Sequence, residues 1–174
     1  MNTDTLGLLA ENVSGKKMPE LLSDLFDAFG ANNDGSIALT SDGTTSPSYG
    51  ISISARDYAL FQQWIAQRKG PKSFYLSAMD ASNTKFGEND TGKLLGGNLT
   101  YGSQSYYLYE HDVLYSSGSY GQIGYSDMQD GIAVIFLQDW AVNAELEKFF
   151  ECRDRALAII SHLRAKSVER GHAF

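Results

Sequence analysis

Cysteine, histidine and proline are the scarce residues of this chain, with one, three and three copies in 174 residues. The lone cysteine, Cys152, excludes an internal disulfide framework and any multi-cysteine zinc site. His111, His162 and His172 are too scattered to suggest a metal cluster, so neither a metal nor any other cofactor is expected. Basic residues are outnumbered as well: 14 Lys and Arg against 21 Asp and Glu leave a net charge of −7 and a pI near 4.8. Nucleic acid or an acidic membrane surface would require clustered cations. The densest basic segment, Arg153 to Arg170, is interleaved with Asp154 and Glu169 and reads as the solvated face of a helix. No apolar run approaches the roughly 20 residues that span a bilayer, and the longest, residues 132–137, is strand-sized. The opening Met1-Asn-Thr-Asp-Thr has no basic n-region and no apolar h-region. A soluble chain without an export signal of its own is the expectation.

What is present is ordinary for a folded protein: 43% hydrophobic and 20% charged residues, in a length suited to one domain with a real core. Helices are expected within about 5–70. The first runs over Thr5–Val13 and stops at Ser14-Gly15. In the second, Met18, Leu21, Leu22, Leu25, Phe26 and Phe29 recur at helical spacing, with Pro19 in the first turn and Gly30 as the C-terminal cap. A third opens at Ser54, a hydroxyl cap with Asp57 in the capping-box position. It carries Leu60, Phe61, Trp64 and Ile65 inward and ends before Gly70-Pro71. From about 98 to 138 the pattern turns strand-like, with Tyr101, Tyr106, Tyr107, Tyr109, Tyr115, Tyr120 and Tyr125 set among Ser and Gly. A last helix, about 143–168, presents Leu146, Phe149, Phe150, Leu157, Ile160 and Leu163 as its inward stripe. Helices, then an antiparallel meander, then a returning helix make an α+β architecture with an antiparallel sheet flanked by helices.

The most informative stretch is Tyr115-Ser-Ser-Gly118-Ser-Tyr-Gly121-Gln122-Ile-Gly124-Tyr125. It precedes Gly131-Ile-Ala-Val-Ile-Phe-Leu137, a run with the look of a strand buried on both faces. Small residues let a ligand approach a strand's backbone, and its edge can offer main-chain N–H groups to a developing negative charge. The bland alternative is that the glycines only permit a tight strand crossing. Other constellations are weaker. Gly118-x-x-Gly121-x-x-Gly124 is not a dinucleotide fingerprint. Asn32-Asn-Asp-Gly35 lacks the ligands of a calcium loop and reads as an Asx turn. Arg56 and Asp57 read as a cap plus a local ion pair. His111-Asp112, taken as neighbours on a strand, would point to opposite faces and so cannot form a triad. Asn12-Val-Ser, Asn89-Asp-Thr and Asn98-Leu-Thr are glycosylation sequons only for an exported eukaryotic chain. Tyr101, Tyr106, Tyr107 and Tyr109 fit a cleft wall and cross-strand aromatic pairing equally well.

Four segments in order resemble one family. Leu6-Gly-Leu-Leu-Ala-Glu-Asn-Val-Ser-Gly-Lys16 is similar to the L-G-x-x-x-E-x-x-[ST]-G-K helix of the beta-lactamase-related serine hydrolases. That family takes in class C beta-lactamases, DD-peptidases, family VIII esterases and 6-aminohexanoate-dimer hydrolases. Pro19-Glu-Leu-Leu-Ser-Asp-Leu-Phe-Asp-Ala-Phe-Gly30 resembles its helix ending in P-L-G. Tyr49-Gly-Ile-Ser-Ile-Ser-Ala-Arg-Asp-Tyr-Ala-Leu-Phe61 resembles its G-G-[LI]-S-x-[ST]-A-R-D-x-A-R-F segment. Gly118-Ser-Tyr-Gly121-Gln122 stands where the dimer-hydrolase-like members read G-x-x-G-Q. Met1-Asn-Thr-Asp-Thr-Leu-Gly7 resembles the stretch that follows the family's catalytic tyrosine, so the likeness covers only the C-terminal half of such an enzyme.

The resemblance implies the C-terminal half of a beta-lactamase/transpeptidase-like fold and an esterase or amidase reaction through a serine acyl-enzyme. The nucleophilic serine, its lysine and the tyrosine would lie upstream of Met1. It gives the Ser119 N–H the role of one oxyanion-hole donor, within a substrate-binding group of Ser117, Gly118, Ser119, Gly121 and Gln122. The lysine of the Lys-Thr-Gly box is replaced at about Ser116, which speaks against penicillin-type carboxylate recognition. Ser14-Gly-Lys-Lys17 matches Ser-x-x-Lys literally, but its serine ends a helix where a catalytic one must begin it. The expected partners are a small ester or amide substrate and the missing N-terminal half, with neither nucleic acid nor a membrane segment. Isolated, the chain is expected to be inactive and to self-associate through an uncovered apolar face and an open sheet edge. The alternative is a freestanding, non-catalytic relic of the fold that binds a peptide or small acyl ligand.

Overall fold

The computed structural model describes residues 2–80, 82, 92, 93, 98–143 and 145–169. Met1, the Asn89-Asp-Thr sequon, Arg170 and His172 lie outside the described residues. The chain divides into two compact units, Met1–Phe61 and Gln62–Phe174.

In the first unit, α1 (Asn2–Ser14) carries Leu6, Leu8, Leu9 and Val13, each more than half exposed. The following helix, α2 (Met18–Phe29), starts where Lys17 donates its N–H to the Glu20 carboxylate at 2.7 Å. It ends at Gly30, whose φ of 75° supplies the left-handed cap the sequence predicts. Glu11 accepts the N–H of Met18 at 2.7 Å and so ties α1 to the start of α2. Phe29 packs edge-on against Phe61, with ring centroids 5.6 Å apart. Two two-residue strands, β1 (Ser36–Ile37) and β2 (Ile51–Ser52), pair antiparallel. They are too short to leave a periodicity in the sequence.

Ser54 and Asp57 cap α3 (Ala55–Ala66) as expected: the Asp57 N–H reaches the Ser54 hydroxyl at 3.1 Å, and that hydroxyl donates back to the carboxylate at 2.6 Å. The local ion pair with Arg56 is not what fills the carboxylate. Its remaining acceptor sites take the Asn32 N–H at 2.7 Å and the Asn33 amide at 2.8 Å. The Asn32–Gly35 segment is therefore clamped by a residue 25 positions on, where an Asx turn on its own side chains was expected. The Ser54 hydroxyl, then the Asn32 N–H and the Asn33 amide, hold the Asp57 carboxyl below the ordinary aspartate range.

The second unit takes in the C-terminal half of α3 and then α4 (Lys72–Ala78), which the sequence reading did not foresee. Pro71 stops one helix and, with φ −57°, opens the next. Five strands follow as an antiparallel meander in spatial order β3 (Leu99–Gly102), β4 (Ser105–Leu108), β5 (Val113–Ser117), β6 (Ile123–Asp127) and β7 (Ala133–Phe136). Their register puts Tyr101 opposite Tyr106, Tyr106 opposite Tyr115, and Tyr115 opposite Tyr125. The rings form one row, with centroid separations of 4.7, 4.8 and 5.5 Å, that ends edge-on against Phe136. Alternate residues face the other way: Thr100 donates to the Ala78 carbonyl at 2.8 Å, and Ser126 to Gln62 Oε1 at 2.7 Å.

The run ending at Leu137 is not a strand buried on both faces. Only residues 133–136 are extended, three of those four are half-buried, and β7 lies at the sheet's edge. The strand buried throughout is β6, whose Gly124 and Ser126 have no hydrophobic signature. Glycine allows close packing there, and Gln62 satisfies the serine hydroxyl.

The final helix, α5 (Leu146–Glu169), lays Phe149, Cys152, Ala156 and Ile160 on the sheet core. Leu146 and Leu163, expected inward, are largely exposed. One turn past Ile160 the stripe continues as Arg164, which pairs with the fully buried Asp127 through Nη2 and through Nε at 3.2 Å. Truncating one member of such a pair strands a buried charge. The substitution Arg164→Met should therefore lower unfolding free energy by about 3 kcal/mol in urea titrations. Tyr125→Phe should instead leave it unchanged or raise it by about 1 kcal/mol, because the buried Tyr125 hydroxyl has no hydrogen-bond partner among the described residues.

Candidate active site

At one end of the sheet β5 runs out into Gly118, and a 3-10 turn over Ser119–Gly121 returns the chain into β6. The glycine-rich stretch is thus a turn between two central strands, where the sequence suggested a strand edge. Two consecutive left-handed residues make the reversal, Tyr120 at φ 59° and Gly121 at φ 89°. A side chain at Gly121 is excluded twice: by that φ, and because a Cβ there would lie 2.5 Å from Cε2 of Trp140. Gly118 has an ordinary φ of −105°, and a Cβ there would sit 3.3 Å from Gln122.

Backbone bonds lock this turn. The Gly118 N–H donates to the Gln122 carbonyl at 2.7 Å. The Tyr120 N–H donates to the Asn143 carbonyl, and the Tyr120 carbonyl accepts from the Trp140 N–H, both at 3.1 Å. Between the two fixed donors, the Ser119 N–H has no acceptor among the described residues. Ser117, Gly118 and Ser119 line a cavity of about 260 Å³. Tyr106, Trp140, Leu146 and Phe149 form its apolar wall, and Asn143 and Glu145 add polar groups beside the start of α5. Glu145 holds Lys148 at 2.7 Å, and this bond keeps its carboxyl below the ordinary glutamate range.

Of the five residues singled out in the sequence, Ser117, Gly118 and Ser119 face the cavity. Gly121 packs beneath the Trp140 indole, and the Gln122 amide donates to the Gln138 carbonyl, so these two support the wall. Ser116 accepts from the Gln62 amide at 3.2 Å, and its hydroxyl is occupied there. The tyrosines divide between the two open readings: Tyr106 both lines the cavity and stacks in the ring row, while Tyr107 and Tyr109 pack edge-on at 5.2 Å. Trp140, Asn143, Glu145, Leu146 and Phe149 were not anticipated as cavity residues. Their one sequence trace is that the hydrophobic stripe of α5 overruns the sheet at Leu146.

The other nucleophile candidates are committed elsewhere. Ser14 ends α1 and donates to the Ala10 carbonyl at 2.6 Å, while Lys17 lies 3.5 Å from Glu11. His111-Asp112 belongs to the turn between β4 and β5, not to a strand. Asp112 there has a φ of 51° and accepts the Tyr107 hydroxyl at 2.8 Å. The Cys152 thiol is buried, which raises its pKa, and it contacts Gln138 Oε1 at 3.3 Å. What remains chemically available is the Ser119 N–H, without an acceptor among the described residues and carried by a residue that lines a small, largely apolar cavity.

No protein-family model matches the sequence, and no curated protein matches it. Among solved structures, it is similar to one titled "Putative 6-aminohexanoate-dimer hydrolase from Bacillus anthracis", with a TM-score of 0.69 and 19% identity over 94% of this chain. The chain spans 42% of the length of that protein. The likeness establishes the architecture: an α+β fold matching the C-terminal part of a hydrolase of the beta-lactamase fold. Within that fold the turn's geometry is testable. Gly121→Ala should cost about 1–3 kcal/mol through the strained φ and the Trp140 contact. Gly118→Ala should cost less than about 1 kcal/mol. The midpoint of urea unfolding, followed by tryptophan fluorescence, separates the two.

Proposed function

We propose that this chain is the C-terminal portion of a beta-lactamase-related serine hydrolase, acting on an ester or amide through a serine acyl-enzyme. The observation that carries the reading is the Ser119 N–H, without an acceptor among the described residues, between two backbone-fixed neighbours and on a residue that lines the cavity. The fold supports it, as do the four sequence segments that resemble the family in the right order.

In this mechanism a serine from a segment outside this chain attacks the acyl carbon, and the lysine and tyrosine of that segment take its proton. The former carbonyl oxygen becomes an oxyanion, held by the Ser119 N–H and by the nucleophile's own N–H. Collapse expels the alcohol or amine, and water then attacks the acyl-enzyme to release the carboxylic acid and regenerate the serine. One fixed donor of this kind contributes about 2.7–4 kcal/mol to the transition state. The missing segment is the partner this reading requires. It would cover Leu6, Leu8, Leu9 and Val13 of α1, a row of exposed apolar side chains unusual for a freestanding helix.

The test compares the chain alone with the chain extended upstream to include Ser-x-x-Lys and the tyrosine motif, using p-nitrophenyl acetate. Alone, it should hydrolyse the ester no faster than buffer and should elute as associated species in size-exclusion chromatography. The extended protein should show a burst of p-nitrophenol, and Ser119→Pro, which removes the N–H, should lower its kcat about 10²–10³-fold. Hydrolysis by the chain alone, abolished by Ser14→Ala, would overturn the assignment. Saturable ligand binding with no burst in the extended protein would favour the non-catalytic relic.

A further inference from the structure

The cavity at Ser119 also carries information about what enters it, and this inference rests on the functional reading above. At about 260 Å³ it is smaller than the roughly 300–1,000 Å³ of sites that enclose a whole drug-sized ligand. It holds one group, not an entire substrate. Three of its lining side chains are aromatic, Tyr106, Trp140 and Phe149, and Leu146 is a fourth apolar one. The Trp140 and Phe149 rings are almost wholly buried. Gly121 below the indole and the backbone bond from Trp140 to Tyr120 fix the tryptophan, so the wall is formed before a ligand arrives.

Charge selects further. Among the described residues, the charged residue that lines the cavity is Glu145. Lys148, its ion-pair partner at 2.7 Å, is half-exposed and does not line the cavity. The positive end of α5 would otherwise attract an anion at this point. Glu145 accepts the first intrahelical bond, from the Phe149 N–H at 2.9 Å, and so places a carboxylate at that helix end. The dipole is already answered, and a second carboxylate would meet a like charge in a half-enclosed space. Ser116, at about the position where the resembling enzymes have a lysine, bonds Gln62 and supplies no cation.

We infer that the cavity selects a neutral, ring-sized apolar substituent of the acyl substrate and rejects a carboxylate at that place. Its uncharged polar lining residues are Ser117, Ser119 and Asn143, which suit a neutral carbonyl and not an anion. Glu145 is the residue that sets the discrimination, and Trp140 the one that sets the shape.

Benzamide and benzoate carry the same ring and differ in charge, which makes them the probes. Their binding to the full chain is read by ¹⁵N–¹H correlation spectra, at the Trp140 indole N–H and the Ser119 backbone N–H, with Trp140→Phe identifying the indole peak. Benzamide should move the indole peak saturably, and benzoate should bind at least about tenfold more weakly, as expected for a ligand charge opposed by a partly buried carboxylate. In Glu145→Gln that gap should close. Equal affinity for the two probes, an unmoved indole peak with benzamide, or a gap that persists in Glu145→Gln would each overturn the inference. The oxyanion role fails separately: an indole peak that moves while Ser119→Pro leaves the extended protein's kcat intact upholds the selectivity and removes the donor assignment.

Discussion

The row of aromatic rings across the sheet is the contact on which the rest of the second unit depends. Strands β3 to β6 each contribute one tyrosine, and Phe136 of β7 closes the row. Because side chains alternate, slipping β5 by one residue would replace Tyr115 with Leu114 or Ser116 and break the row at its centre. Neighbouring rings at these separations add about 0.5–1.5 kcal/mol per pair beyond the area they bury. That gain is set against the Tyr115 and Tyr125 hydroxyls, which have no partner among the described residues, and burial pushes both phenols well above the ordinary tyrosine pKa. The rings are retained despite the hydroxyls because their faces, and not their polar tips, hold the register.

The same row decides where α5 lies. The helix meets the row with the Phe149 ring, whose centroid lies 5.8 Å from that of Tyr115, and adds Cys152, Ala156 and Ile160 to the same core. Hydrophobic packing alone leaves a helix free to slide by a turn. Arg164 removes that freedom, since Asp127 is wholly buried and the guanidinium is the ion-pair partner that reaches it. Buried pairs contribute little net stability against an apolar replacement, so a registry role suits this one better than a stabilising role. With α5 fixed at its Arg164 end, its other end is also fixed, and that end builds the cavity wall beside Ser119.

The sequence made the architecture legible where periodicity and cap chemistry agree: α2 with Pro19 and Gly30, α3 with Ser54 and Asp57, and the tyrosine-rich meander. It misled where hydrophobicity stood in for burial. The apolar run at residues 132–137 became an edge strand, while the polar-looking β6 became the most buried strand through Gln62 and Ser126. The turn at Ser119–Gly121 was recognisable as special from its glycines, but not as a turn, because a left-handed tyrosine has no sequence signature. Trp140 and Glu145 were illegible for a different reason. Their part in the cavity follows from the loop before α5 folding back onto Tyr120, a contact between backbone atoms that no side-chain pattern encodes.

The backbone contacts at Tyr120 also bear on the proposed site, whose lining has few charged groups among the described residues. Ser116 is turned away to Gln62 and Ser119 offers a peptide dipole, so in the proposed site recognition falls to shape, to that dipole and to the charge of Glu145. Fixed dipoles act only if they cannot reorient when charge develops. Here the donor's neighbours on both sides are bonded into the framework, at Gly118 and at Tyr120, and Trp140 blocks any relaxation through Gly121. The strain of the left-handed Tyr120 is held by those same bonds. A turn that only reversed the chain would need neither the strain nor the tryptophan, since a two-residue hairpin loop with glycine does that at lower cost. The extra structure is accounted for if its purpose is to hold one N–H still.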